Sequence, residues 1–333
     1  MKREIFVGNV GIGGNHPVSI QSMTTTDTKD IEATLDQIRQ LYVAGCDIVR
    51  VAVPDKGSVK SLKKITSDSP LPVIADIHFN PDLALGSIDS GVDGIRINPG
   101  NIAAKEKLRR IITSAEEHNI SIRIGVNSGS IEKKYIRTGR TRAEMMVAST
   151  LDKIRFFEDS GFFNIKLSLK SSDVLETIEA YRKIDKECNY PLHLGITEAG
   201  TLFTGTIKSS IGIGSLLADG IGNTLRVSLT DDPVEEIKVA SEILKVLGLR
   251  ERGIEIVSCP TCARTSVDLI NIVKNFEKEI NSLALNKNIK IAIMGCEVNG
   301  PGEAKDADIG IAFSQKRAYL FMKGKLIEKL DPE

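Results

Sequence analysis

Three cysteines crowd into the last quarter of the chain: Cys259 and Cys262 in the run Cys-Pro-Thr-Cys, then Cys296. Cys46 and Cys188 stand alone, and this odd, clustered distribution points to metal rather than disulfides. All four histidines, His16, His78, His118 and His193, precede the cysteine region, so no neighbouring imidazole can close a structural zinc site. Three thiolates suit a cubane 4Fe-4S cluster, which leaves one iron for a weaker, exchangeable ligand. Glu303, at the end of the turn-rich run after Cys296, is the nearest candidate carboxylate for that position. A thioredoxin-type dithiol and a zinc site completed by an acidic residue are the competing readings.

A second constellation is basic. Arg96 and Asn98 alternate with Ile95 and Ile97, and Arg123 and Asn127 with Ile122, Ile124 and Val126. Lys166, Ser168 and Lys170 alternate with Ile165, Leu167 and Leu169, and Arg226 and Ser228 with Leu225, Val227 and Leu229. Side chains two apart on a strand share a face, so each strand shows one aliphatic and one polar side. Arginines converging from several such strands, Arg50 among them, bind a small polyanion such as phosphate or diphosphate through charge-assisted, bidentate hydrogen bonds. Asp76, His78, His193 and Glu198 place acid and base groups near the same strand ends.

The elements that must position these groups alternate regularly. The strand candidates are VSIQSM, DIVRVAV, PVIADIHF, GIRINP, SIRIGVN, NIKLSLK, PLHLGIT and TLRVSL. Between them lie helical patterns over 30–43, 103–118, 142–160, 173–187 and 233–247. Eight βα units in about 250 residues, with no GxGxxG after the first strand, favour a TIM-like (β/α)8 barrel. The aliphatic faces then meet the helices and the polar faces line a basic lumen. A lumen packed with Val, Ile and Leu would be ordinary, but burying these cations without counter-charges carries a heavy desolvation cost. The run EAGTLFTGTIKSSIGIG after the seventh strand reads as a phosphate-holding loop and helix N-terminus, or simply as a flexible loop. The basic stretch 133–142 reads as a solvated loop or a lid.

Near Gly253 the repeat stops. The boundaries expected are 1–252 for the barrel and 253–333 for a small α/β iron–sulfur domain, with strands IEIVS and KIAIMG flanking a helix over 266–282. Both cysteine groups leave strand ends there. The 333 residues are 41% hydrophobic but only 5% aromatic, without Trp, so the core is aliphatic, as in strands buried on both faces. Forty-four basic residues balance 44 acidic ones, which argues against a polyanionic nucleic acid partner. The absence of a long apolar run and of a leader-like start leads to the expectation of a cytoplasmic protein without a membrane span.

The runs Cys259-Pro-Thr-Cys262-Ala-Arg264 and Gly295-Cys296-Glu297-Val298-Asn299-Gly300-Pro301-Gly302-Glu303 resemble the 4-hydroxy-3-methylbut-2-enyl diphosphate synthases. These are iron–sulfur enzymes late in the methylerythritol phosphate route to isoprenoids. Barrel segments VGNVGIGG, IQSMT, DIVRVAVPD, ADIHF, IRINPGNI, RIGVNSGS, LKSSD, LHLGITEAG and TLRVSLTDDPVEEI extend the resemblance in order along nearly the whole chain. It implies two-electron reductive ring opening and dehydration of 2-C-methyl-D-erythritol 2,4-cyclodiphosphate. It also implies a 4Fe-4S cluster on Cys259, Cys262, Cys296 and Glu303, the carboxylate being able to leave its iron to substrate. Arg50, Arg96, Arg123, Lys170 and Arg226 would grip the cyclic diphosphate with Asn98, Asn127 and Ser228. Asp76 and His78 join the substrate site, and Glu198 would donate a proton. The resemblance further implies a flavodoxin or ferredoxin as electron donor and a head-to-tail homodimer with the active site between the barrel of one chain and the cluster domain of the other. The stretch 133–142 departs from the family pattern. The lack of a large insertion between the domains matches the two-domain bacterial type.

Overall fold

The computed structural model describes residues 1–78, 80–98, 105–136, 139–250, 253–282, 288–296 and 300–331. The chain divides into two compact units, Met1–Arg250 and Glu251–Glu333.

The first unit opens with a hairpin, β1 (Ile5–Val7) and β2 (Val10–Ile12), which the sequence reading did not separate from the barrel. Eight strands follow: β3 (Ser19–Met23), β4 (Ile48–Ala52), β5 (Val73–Asp76), β6 (Gly94–Ile97), β7 (Ser121–Asn127), β8 (Ile165–Lys170), β9 (His193–Leu194) and β10 (Thr224–Leu225). Their order is β8-β7-β6-β5-β4-β3-β10-β9, every pairing parallel, and a bridge between Leu167 and Leu192 joins the ends. This is the TIM-like barrel. Helices α1 (Ile31–Val43), α2 (Lys56–Asp68), α3 (Pro81–Asp89), α4 (Lys105–Glu117), α5 (Lys133–Ile136), α6 (Arg142–Asp159), α7 (Val174–Glu187), α8 (Leu202–Ala218) and α9 (Pro233–Val246) connect the strands.

The helices start where side-chain acceptors sit. Asp30, Asp55, Asn80, Asp173 and Asp232 cap α1, α2, α3, α7 and α9, and Thr141 with Glu144 forms a reciprocal capping box on α6. Each such cap contributes about 1 kcal/mol. The main core lies between strands and helices, built from outward-facing aliphatics such as Val49, Val51, Ile95, Ile122, Ile124, Leu167 and Leu225. At the N-terminal end of the lumen the hairpin residues Ile5, Val7 and Ile12 pack on Ile48 and Ile74. The alternation read from sequence is therefore real, with apolar groups filling the floor of the lumen.

In the second unit, β11 (Ile254–Ser258), α10 (Leu269–Ser282), β12 (Ile289–Met294), α11 (Gly300–Lys305), β13 (Ile309–Phe313), β14 (Ala318–Met322) and β15 (Lys325–Leu330) form an α/β layer. The sheet order is β11 to β15, its first three strands parallel and the last two antiparallel. Leu269, Ile272, Val273 and Phe276 of α10 pack on Ile256, Ile291 and Ile293, and Ala304 of α11 packs with Ala292, Met294 and Ala312 in a second cluster.

Candidate functional site

Strand alternation aims Arg50 of β4, Asp76 of β5, Arg96 of β6, Arg123 of β7, Lys166 and Lys170 of β8, and Arg226 beyond β10 into the same lumen. Arg50, Arg96 and Arg123 are buried, at 9%, 6% and 2% exposure, and Lys166 at 1%. Asp76, itself 5% exposed, is their nearest counter-charge: Arg96 Nη1 lies 3.3 Å from its Oδ1 and Arg50 Nε 3.8 Å from its Oδ2. His78 Nε2 lies 3.4 Å from Asp76 Oδ2 and 3.2 Å from Arg96 Nη1. Burial alone would raise the Asp76 carboxyl, but Arg50, the hydrogen bond from His78, Arg96 and Arg123 together hold it far below the usual carboxylate range.

The cations are short of partners. Burial, reinforced by neighbouring positive charge, pulls Arg123, Lys166 and Lys170 well below their ordinary pKa values. Arg50 is lowered to about 10 by burial, Asp76 offsetting part of the shift against Arg226 and Arg96. Arg96 Nε, Arg123 Nε and Nη1, and Lys166 Nζ are buried without a hydrogen-bond partner. Arg50 Nε and Nη2 point at the Met23 thioether, 3.2 and 3.0 Å away, a weak acceptor for a guanidinium. Unmet donors of one sign, buried together, make a site for a multiply charged anion. Gly125 keeps room for it: a Cβ there would stand 3.0 Å from Arg96 Nε and 3.3 Å from Ser168 Oγ.

Asn98 directly follows β6 and is buried, and Asn127, at the end of β7, and Ser228, beyond β10, are half-buried at the same end of the barrel. Glu198 is exposed on the loop between β9 and α8, its backbone left-handed at φ 52°. His193 is a correction. It pairs with Thr224, which pairs with Ser19 at the start of β3, so His193 is deep in the lumen rather than at the mouth. It is fully buried, 3.4 Å from Thr224 Oγ1 through Nδ1, and burial pushes its pKa well down. The run after β9 forms a short loop and then α8, with Thr201 as N-cap. The stretch 133–142 begins with α5, whose Lys134 pairs with Asp152 at 2.8 Å, so this part is tied to α6; residues 137–138 lie outside the described residues. Sequence reasoning missed Glu236, a carboxylate 3% exposed on α9 that pairs with Arg226. Its signal was a charge on the apolar face formed by Pro233, Ile237, Ala240 and Leu244.

In the second unit the thiols leave adjacent parallel strands. Cys259 directly follows β11, Cys262 sits in the turn after it, and Cys296 follows β12 through Gly295. The two exits are laced together: Gly295 N donates to Cys259 Sγ at 3.4 Å, and Ser266 N to Gly295 O at 3.0 Å. Cys262 N donates to Thr265 Oγ1 at 3.0 Å, and a Cβ at 295 would meet Thr265 Cγ2 at 2.8 Å. Cys262 is exposed, and Cys259 and Cys296 are half-buried. A soft sulfur donor set on neighbouring strand exits, one sulfur already accepting an amide hydrogen bond, fits an iron–sulfur cluster. Glu303 belongs to α11, but its side chain and residues 297–299 lie outside the described residues. Among the described residues no three His, Cys, Asp or Glu side chains are gathered at ligating distance. Cys46, by contrast, is packed away, its thiol pushed up to about 12 by burial.

Two family models match the chain: the GcpE TIM-barrel domain over residues 2–241 and the GcpE protein C-terminal domain over residues 255–333. A protein of Lawsonia intracellularis named 4-hydroxy-3-methylbut-2-en-1-yl diphosphate synthase (flavodoxin) is 56% identical over 331 residues, covering 98% of this chain and 91% of its own. A relative of the same name from Clostridium acetobutylicum is 54% identical, covering 99% and 95%. Among solved structures, a dihydropteroate synthase of Xanthomonas albilineans aligns at a TM-score of 0.53 with 10% identity, over 74% of this chain and 98% of its own. That likeness concerns the barrel fold alone.

Proposed function

Because this chain belongs to the GcpE family, whose models match both of its units, we propose that it performs the reaction its relatives are named for. It reduces and opens 2-C-methyl-D-erythritol 2,4-cyclodiphosphate and dehydrates it to 4-hydroxy-3-methylbut-2-enyl diphosphate, in isoprenoid precursor biosynthesis. In the balance, the cyclic diphosphate takes up two electrons and a proton, a ring carbon–oxygen bond breaks, and a hydroxyl leaves as water while a carbon–carbon double bond forms. The single observation that carries this reading is the lumen of buried, under-partnered cations, built to meet a diphosphate.

In this reading Arg50, Arg96, Arg123, Lys170 and Arg226 hold the diphosphate, with Asn98, Asn127 and Ser228 donating beside them. Asp76 keeps the arginines and His78 in place without neutralising the site. Glu198, on the rim, donates the proton that assists loss of the hydroxyl. Cys259, Cys262, Cys296 and Glu303 hold a 4Fe-4S cluster. When bound, that cluster supplies low-potential electrons, received from flavodoxin as the relatives' names indicate or from a ferredoxin. No helix among the described residues is long and apolar enough to cross a membrane, and we place the reaction in the cytoplasm. The chain acts as a head-to-tail homodimer, a reading supported by the exposed apolar stripe Phe203, Ile207 and Ile211 on α8.

The test is anaerobic purification with iron, sulfide and zinc analysis and a visible spectrum, repeated on Cys296→Ser, followed by turnover of the cyclic diphosphate with reduced flavodoxin. About four iron and four sulfide per chain, lost in the variant, are expected. Stoichiometric zinc in a colourless protein would overturn the assignment.

A further inference from the structure

The Glu236 carboxylate sits where the barrel ladder opens. Pairing between β10 and β3 ends at Leu225 and Ile20, and beyond that point the two strands diverge. Glu236, reaching in from the first turn of α9, takes over what the ladder leaves unmet. Its Oε1 accepts from Leu229 N at 3.0 Å and its Oε2 from Ser22 Oγ at 3.0 Å, one donor from each side of the gap. The same two oxygens receive Arg226, Nη2 to Oε1 at 3.2 Å and Nε to Oε2 at 3.3 Å. Every hydrogen-bonding edge of a carboxylate that is 3% exposed is thus used.

This changes what Arg226 can do. A guanidinium presents two bidentate edges, and the Nε/Nη2 edge is committed to Glu236. Only the Nη1 side remains, and it points to Met23 Sδ at 3.8 Å, the same sulfur that meets Arg50 Nε and Nη2. Two arginines that repel each other therefore share one weak acceptor at the mouth. Without an anchor, Arg226 would swing away from Arg50 or toward Asp76.

We propose that Glu236 is a positioning residue for substrate binding: by clamping the Nε/Nη2 edge of Arg226 from the helix side of the gap, it aims Nη1 beside Arg50 to receive one phosphate of the diphosphate. The inference rests on the functional reading above only in taking diphosphate as the ligand. Met23 holds the same two groups loosely and yields them to a stronger acceptor.

The test uses the full chain with two readouts, calorimetric binding of inorganic diphosphate and steady-state turnover of the cyclic substrate. In Glu236→Gln, diphosphate affinity falls and KM rises, each by about tenfold, while kcat stays within about twofold. In an Arg226→Met background the same substitution adds little further loss, because the clamp has nothing left to aim. If Glu236→Gln does not fold, Glu236→Asp, which keeps the charge and shortens the reach, carries the same expectation. Unchanged diphosphate affinity in a folded Glu236 variant, or losses that simply add to those of Arg226→Met, would overturn the inference. Diphosphate binding that responds as described, in a protein that never turns over the cyclic substrate, would sink the functional reading and leave the role of Glu236 standing.

Discussion

Lys170 enters the lumen through the space that a side chain at position 195 would fill. A Cβ on Gly195 would strike the Lys170 ammonium and stand 2.6 Å from the Arg226 carbonyl oxygen. One missing side chain thus makes room for a cation from β8 and for the backbone that carries a cation beyond β10. The lysine tip can bend away, but the carbonyl cannot without moving the strand. Gly195→Ala is expected to cost about 1–3 kcal/mol of stability and to weaken inorganic diphosphate binding, read by chemical denaturation and calorimetry.

Lys166 is buried beside Arg123 without a hydrogen-bond partner for its ammonium. Its folded pKa is depressed by burial, so the unfolded chain binds its proton more tightly and Lys166 disfavours the folded state at every pH below the ordinary lysine value. Lys166→Met is therefore expected to raise stability by about 1–3 kcal/mol. The gain is largest at neutral and acid pH and shrinks as pH rises toward the unfolded lysine pKa of about 10.4. Urea denaturation at a series of pH values checks this.

Asp76 has the opposite sign. Its carboxyl is held far below the usual range, so its contribution is complete above an unfolded pKa of about 3.9 and is lost as pH falls toward the depressed native value. Asp76→Asn leaves Arg50 and Arg96 without their counter-ion and should cost about 3–5 kcal/mol at pH 7. The gap in Tm between wild type and variant should narrow steadily below about pH 4.

Glu198 holds a left-handed backbone, φ 52°, that a glycine would adopt freely. Glu198→Gly is expected to stabilise the protein by about 1 kcal/mol while abolishing turnover. Glu198→Gln keeps the backbone cost and loses only the proton. A glycine variant that is no more stable, or a glutamine variant with wild-type kcat and unchanged KM, would contradict the role given to this residue.

Phe203 is 77% exposed on α8, one helical turn from Ile207 and two from Ile211. On the proposed homodimer, Phe203→Glu is expected to shift the protein to monomer in light scattering and to reduce turnover, with the barrel still binding diphosphate.

The barrel was legible because its strands combine an aliphatic wall with a polar lumen, a period-two signal that survives burial on both faces. Arg96, Arg123, Lys170 and Arg226 could be picked out for that reason, and Cys259, Cys262 and Cys296 by their grouping. The runs PLHLGIT and TLRVSL promised longer strands than His193–Leu194 and Thr224–Leu225. There the ladder gives way at Gly195 and at the gap filled by Glu236, a tertiary event with no local period. His193 looked like a mouth residue because register, which sets depth, cannot be read from one strand alone. Glu236 is marked only by its place among the apolar positions of α9, in a first turn that also carries Glu235, so the sequence alone does not set it apart.

The hairpin that packs Ile5, Val7 and Ile12 against Ile48 and Ile74 gives the barrel a stopper. Among the described residues, that packing corks the lower end and leaves the strands' C-terminal end as the doorway. A diphosphate product must leave by the route its precursor used, so the two cannot pass each other. Exchange is then strictly sequential, and accumulated product acts as a competitive brake on the next turnover.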